Sequence, residues 1–194
     1  MPRAGKTEQI NRLSSFLNEK RIKHCIIKDR EIDKEISIQL EAVFEYNLVF
    51  YNKILEKLIS AKYSGDYDIV ILDRGFLDGE AWFNLEHKQG KISKSEKEMA
   101  NFYLENLRKY IDMGFLILID PNLTVTRYKN KGEIGKKTYS LKDYRNYMKK
   151  LHQEYLRLKK KFRNDKKVVL LDGNKSIGDL HLKIKKKLQE KGII

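Results

Sequence analysis

This 194-residue sequence predicts an α/β fold: a doubly wound parallel sheet with helices on both of its faces. Short apolar runs recur at 23–28, 67–72, 114–119 and 167–171, each long enough for one strand and too short for a helix. Stretches of helical length lie between them, with apolar residues three and four apart. The chain opens on Met1-Pro2-Arg3-Ala4-Gly5-Lys6-Thr7, which reads as the end of a phosphate-binding loop.

The composition suits one domain with a substantial core. No long apolar run and no signal-like segment occurs, so a soluble, cytoplasmic protein with no membrane partner is expected. Cys25 is the single cysteine, which rules out an internal disulfide framework; it reads as a small buried hydrophobe. The formal net charge of +14 invites a nucleic-acid partner. Lys outnumbers Arg and Pro is scarce, as base-composition bias would produce. The basic residues read as dispersed, with runs such as Lys159-Lys160-Lys161 and Lys185-Lys186-Lys187 on solvated helix faces. Nucleic acid is therefore not the expected partner.

In a phosphate-binding loop, backbone N–H groups wrap the phosphates, a lysine neutralises charge and a hydroxyl holds Mg²⁺. Gly5-Lys6-Thr7 supplies the last three residues, and Ile10, Leu13, Phe16 and Leu17 place a helix directly after them. The first glycine of the loop and the strand before it would precede Met1, so the chain reads as a fragment or a misplaced start. Residues 23–28 form the first strand present, with Asp29, Arg30 and Glu31 in a loop at its C-terminal end. Asp29 and Glu31 are equal candidates to take a proton from an acceptor hydroxyl or to hold an acceptor base.

A core helix spans 38–60, ended by Gly65-Asp66, and Tyr67 to Leu72 is the clearest buried strand. That strand runs into Asp73-Arg74-Gly75. A carboxylate at a strand tip beside a phosphate loop suits Mg²⁺, and the planar fork of Arg74 suits phosphate oxygens. The stretch Phe76 to His87 follows, with Asp78, Trp82 and Phe83 close behind Arg74 and the aromatics in the core or stacked on a base. Residues 88–97 read as a loop, and Ser95 with Glu98 as the capping box of the next helix. Gly114 to Asp120 is a strand ending in an acid, stopped by Pro121. A short helix with Arg127 then leads to Lys129, Lys131, Gly132, Gly135, Lys136 and Lys137, a lid-like segment at about 127–140. A long helix over 141–162, a last strand, Asp172-Gly173-Asn174-Lys175 and a helix over 177–188 complete a single domain over 1–194.

Nearly the whole chain resembles the P-loop nucleoside and nucleotide kinases, thymidylate kinase most closely. Arg3-Ala4-Gly5-Lys6-Thr7 is similar to the family's loop end, and Asp73-Arg74 to its Asp-Arg signature after the third strand, whose Arg contacts the acceptor's phosphate. Asp120 with Arg127 resembles the strand and lid arginine that serve the transferring group. Leu171-Asp172-Gly173 with Ser176-Ile177 resembles the closing strand, loop and helix near the adenine. The sequence also departs from the family. The central first strand is absent, and Lys28-Asp29-Arg30-Glu31-Ile32 replaces Arg-Glu-Pro-Gly-Gly. Asp78 stands for a small hydroxyl residue, Trp82-Phe83 for a thymine-reading Tyr-Gln pair, and Lys131 for a second lid arginine. Losing a central strand would leave its neighbours with unpaired backbone groups.

The resemblance implies ATP and Mg²⁺ as cofactors, a nucleoside or nucleoside monophosphate as acceptor, and a homodimer as the assembly. It implies that Lys6, Arg74 and Arg127 are catalytic, with Thr7 and Asp73 on Mg²⁺. Arg3, Ala4, Gly5, Lys6, Thr7, Lys131, Asp172, Gly173 and Asn174 would hold the nucleotide, and Asp29, Glu31, Arg74, Asp78 and Trp82 would face the acceptor. Two rival readings remain open at the level of sequence: a nucleotide- or nucleic-acid-binding protein that does not turn over, and a polynucleotide 5′-hydroxyl kinase.

Overall fold

The structure is a computed structural model that describes residues 2–36, 43–130 and 140–194. In chain order the elements are α1 (Lys6–Glu19), β1 (His24–Ile27), α2 (Asp29–Glu35), α3 (Val43–Tyr63), β2 (Ile69–Leu72), α4 (Gly79–Lys88) and α5 (Lys94–Leu107). A 3-10 turn (Arg108–Tyr110), β3 (Gly114–Leu118), α6 (Pro121–Asn130), α7 (Leu141–Lys161), β4 (Val168–Asp172) and α8 (Ile177–Glu190) follow. The chain divides into two compact units, one of residues 7–110 and one of residues 1–6 with 111–194.

Each unit is built on one parallel strand pair joined by helices, the usual crossover between parallel neighbours. In the first, β1 lies against β2 with Ile27 opposite Leu72. In the second, β3 lies against β4 with Leu118 opposite Asp172. Among the described residues no ladder joins the two pairs. Every residue of Ile69–Leu72 is half-buried, where the apolar run alone suggested a fully buried strand.

In the 7–110 unit, α3 supplies the core through Phe44, Phe50, Tyr51, Ile54 and Leu58, joined by Phe83 and Leu85 of α4 and Leu104 of α5. In the other unit, α7 buries Met148, Leu151, Tyr155 and Leu158, and Leu116, Val125 and Leu171 are buried with them. Charge is divided very unequally. Residues 1–6 and 111–194 hold 24 Lys and Arg against 9 Asp and Glu, a formal +15, whereas residues 7–110 hold 17 against 18, a formal −1. The basic excess that reads as dispersed along the sequence belongs to one unit.

Three local expectations are corrected. Asp29, Arg30 and Glu31 form the first turn of α2 instead of a loop, where acids at a helix N-terminus are favoured. The capping box of α5 is Ser93 with Glu96, two residues earlier than Ser95 with Glu98, so the helix begins at Lys94 inside the presumed loop. Residues 127–130 of the expected lid continue α6, and its remainder through residue 139 lies outside the described residues.

Candidate functional site

The 7–110 unit gathers most of the chemistry at the C-terminal end of its strand pair. The Asp73 N–H donates to the Ile27 carbonyl at 3.0 Å, extending the β1–β2 register by one residue. That bond places Asp73 at the same edge as Asp29, which opens α2 two residues beyond β1. Asp29 is half-buried, and its carboxylate accepts from the Arg30 N–H at 2.7 Å. Glu31 is exposed and paired with Lys28 at 3.1 Å, so the two acids, equal in the sequence, differ in the fold.

Arg74 is the centre of this edge. Its guanidinium carbon lies 5.2 Å from the Phe50 ring centre and 5.0 Å from that of Trp82, so α3 and α4 each lend it an aromatic face. A planar cation held this way keeps its fork directed while losing little hydration. Its positive charge also reaches Tyr46, Tyr51 and Glu86.

The wall around Arg74 comes largely from one face of α3. The Tyr46 hydroxyl donates to Asp33 of α2 at 2.6 Å, and burial together with that carboxylate pushes the phenol up to about 12. The Asn47 side-chain amide donates to Glu86 of α4 at 3.4 Å. Burial pushes the Glu86 carboxyl up to about 7, against an ordinary value of 4.5, so near neutrality it exchanges between a carboxylate that only accepts and a carboxyl that also donates. Tyr51 is 1% exposed, its hydroxyl has no hydrogen-bond partner, and burial raises its pKa. That hydroxyl would lie 2.5 Å from a Cβ added at Gly79, the first residue of α4. Gly79 is thus a glycine by close approach. Asp78, at the N-cap of α4, is half-buried and does not cap the helix with its side chain.

In the other unit the phosphate-loop end is a turn. Arg3 and Gly5 both take left-handed backbone, with φ of 57° and 87°, around a buried Ala4. Alternating left- and right-handed residues turn successive N–H groups to one side, as in anion-binding nests. Lys6 then opens α1, whose remaining residues, with Thr7 exposed in the first turn, belong to the 7–110 unit. Arg127 donates to the Arg3 carbonyl at 3.0 Å, tying α6 to the turn. The Arg3 guanidinium lies 5.9 Å from the ring centre of Tyr128, which stacks on Tyr144 at 4.2 Å.

Asp172, Gly173 and Asn174 close on themselves. The Asp172 carboxylate accepts from the Asn174 backbone and side-chain N–H groups, and Asn174 in turn accepts from the Asp120 N–H at 3.0 Å. A Cβ at Gly173 would lie 2.7 Å from the Leu118 carbonyl, so this loop requires glycine where it presses on β3. Asp120 accepts from the Asn122 N–H at 2.6 Å and so begins α6.

The fold therefore brings together Asp29, Asp73, Arg74, Asp78 and Trp82 in one unit, and Arg3, Ala4, Gly5, Lys6 and Arg127 with Asp172 to Asn174 in the other. Lys131 lies outside the described residues. Sequence reasoning passed over Tyr46, Asn47, Phe50, Tyr51 and Glu86. The available signal was polar Tyr46 and Asn47 interrupting an otherwise apolar face of α3.

No cluster of three His, Cys, Asp or Glu side chains able to hold a metal ion occurs among the described residues. Asp73 and Thr7 carry oxygen donors of the kind that Mg²⁺ takes beside phosphates, an ion that keeps several of its waters and needs only one or two protein oxygens. No helix of the described residues is long and apolar enough to cross a membrane.

No family model matches this chain, and no curated protein matches it. Among solved structures, the chain is similar to deoxyadenosine kinase from M. mycoides with bound dATP, at a TM-score of 0.67 and 15% identity over 97% of this chain and 96% of that one. The same enzyme with bound dCTP gives 0.65 and 16% over 98% and 96%. At such low identity the likeness is one of architecture, and it gives this chain the P-loop nucleoside kinase fold.

Proposed function

We propose that this chain transfers the γ-phosphoryl group of ATP to the 5′-hydroxyl of a nucleoside. The observation that carries this reading is Arg74, held between Phe50 and Trp82 beside Asp73 and Asp29 at one strand edge, within a fold similar to deoxyadenosine kinases over nearly its whole length. Those neighbours also favour a nucleoside over thymidylate as acceptor. A nucleoside has a hydroxyl to deprotonate, and Asp29 is the better placed of the two acids to accept that proton because Glu31 is engaged by Lys28.

Phosphoryl transfer asks the protein mainly for position and charge. Lys6 and the left-handed turn at Arg3 to Gly5 handle the donor phosphates. Thr7 and Asp73 would hold Mg²⁺, which neutralises charge on the β- and γ-phosphate oxygens when bound. Arg74 orients the acceptor with a fork already fixed by its two aromatic faces. Arg127 meets charge developing on the transferring group after leaving the Arg3 carbonyl.

The test is Arg74→Ala. Nucleotide formation should fall on the order of 100-fold, as for loss of one transition-state charge donor, while the melting temperature shifts by no more than about 4 °C, equivalent to roughly 1 kcal/mol or less in a chain of this size. Parallel losses in rate and melting temperature would make Arg74 a structural residue and remove the basis of the reading.

A further inference from the structure

One long helix face remains outside the kinase reading. The exposed residues of α7 include Lys142, Arg145, Lys149, Lys150, Arg157 and Lys160, with Asp143 as the sole acid among them. At 100° per residue these cations fall on one side of the helix, opposite the buried Met148, Leu151, Tyr155 and Leu158. From Lys142 to Lys160 the row runs about 27 Å at 1.5 Å per residue.

The acids of α7 offset only part of it: Glu154 is buried and paired with Arg157 at 2.9 Å, and Asp143, bonded by Ser140 at the N-cap, is one carboxylate against the five remaining cations. Lysine is frequent in both units, at 12 of the 104 residues of one and 19 of the 90 of the other; the acids differ as much, 18 against 9, which leaves this unit at a formal +15 and the 7–110 unit at −1.

We infer that the outer face of α7 binds the phosphate backbone of a nucleic-acid duplex without regard to sequence. A duplex presents one negative charge per about 1.7 Å, so about 16 phosphates lie along the length of this row. The face carries no exposed aromatic side chain on which an unpaired base could stack, since Tyr144 is half-buried and stacked on Tyr128. Nor does it carry an exposed apolar side chain to enter a lipid interface. Both absences favour a stiff, densely charged duplex over a single strand or a membrane.

The experiment is fluorescence anisotropy of a labelled 20-base-pair DNA duplex, titrated with the full chain at several salt concentrations. The variants are Arg145→Glu/Lys149→Glu/Lys160→Glu on the row and, as an equal charge change elsewhere in the same unit, Lys175→Glu/Lys186→Glu/Lys191→Glu. All six positions are exposed, and circular dichroism checks that each variant folds. The wild type should bind in the micromolar range near physiological salt. The α7 variant should lose at least about 20-fold, and its log–log salt slope should fall by about 2.7, at about 0.9 per phosphate contact. The second variant should lose no more than about threefold. Equal losses in both variants, binding to a single strand or to anionic vesicles at least as tight as to the duplex, or no binding at low salt would each overturn the assignment.

Discussion

At the scale of single residues, Tyr51 and Gly79 form a coupled pair. Tyr51 carries a buried hydroxyl without a partner, which is costly to desolvate, so Tyr51→Phe should leave the melting temperature unchanged or raise it. A fall of several degrees on calorimetry would mean that the hydroxyl is satisfied in solution. Gly79→Ala should destabilise by about 1–3 kcal/mol, because its new methyl meets that hydroxyl at 2.5 Å and a Leu104 methyl at 2.7 Å. Urea denaturation of the double variant should show part of that loss recovered. Full additivity would mean that the crowding lies elsewhere. The sequence made Asp73 and Arg74 legible because a charged pair after an apolar run is a local pattern. It could not show Phe50 and Tyr51 beside Arg74, because they look like every other apolar residue of α3 until α4 is folded against them.

At the scale of elements, boundaries were readable wherever one strong signal stood alone, such as Pro121 opening α6 and Ser176 capping α8. Two capping boxes competed before α5, and the sequence pattern suits Ser95 with Glu98 as well as Ser93 with Glu96. The fold decides by burying Ile92 directly before Ser93. Ser93→Ala should therefore cost about 1 kcal/mol, and Ser95→Ala less than about 0.5 kcal/mol. Reversed magnitudes in chemical denaturation would restore the later start.

The α3–α4 contact carries a pH signature through Glu86. Its folded value of about 7 exceeds its ordinary 4.5, with burial as the leading cause. The folded chain thus keeps a proton that the unfolded chain releases between those values. This contribution is fully present below 4.5 and is lost as pH rises through about 7. Glu86→Gln keeps the neutral hydrogen bonding and removes the titration, so its melting temperature should gain on the wild type between pH 5 and pH 7.5. No relative gain would show that Glu86 ionises normally.

At the scale of the whole molecule, the alternation of strands and helices was legible because parallel strands buried by crossover helices leave continuous apolar runs. Charge partition was hidden, because net charge is a sum over the chain, whereas the division between the two units depends on where the chain crosses from one to the other. If the chain binds ATP in its folded state, saturating ATP with Mg²⁺ at 100 times its Kd should add about 2.7 kcal/mol of stability. Thermal unfolding unmoved by ATP would count against any donor site.

The most direct measurement is to incubate the full chain with γ-labelled ATP, Mg²⁺ and an equimolar mixture of deoxynucleosides and their monophosphates, and then to separate the labelled products. A nucleoside kinase places the label in nucleoside monophosphates. Label in diphosphates, or in no nucleotide product at all, would contradict the acceptor and the activity respectively.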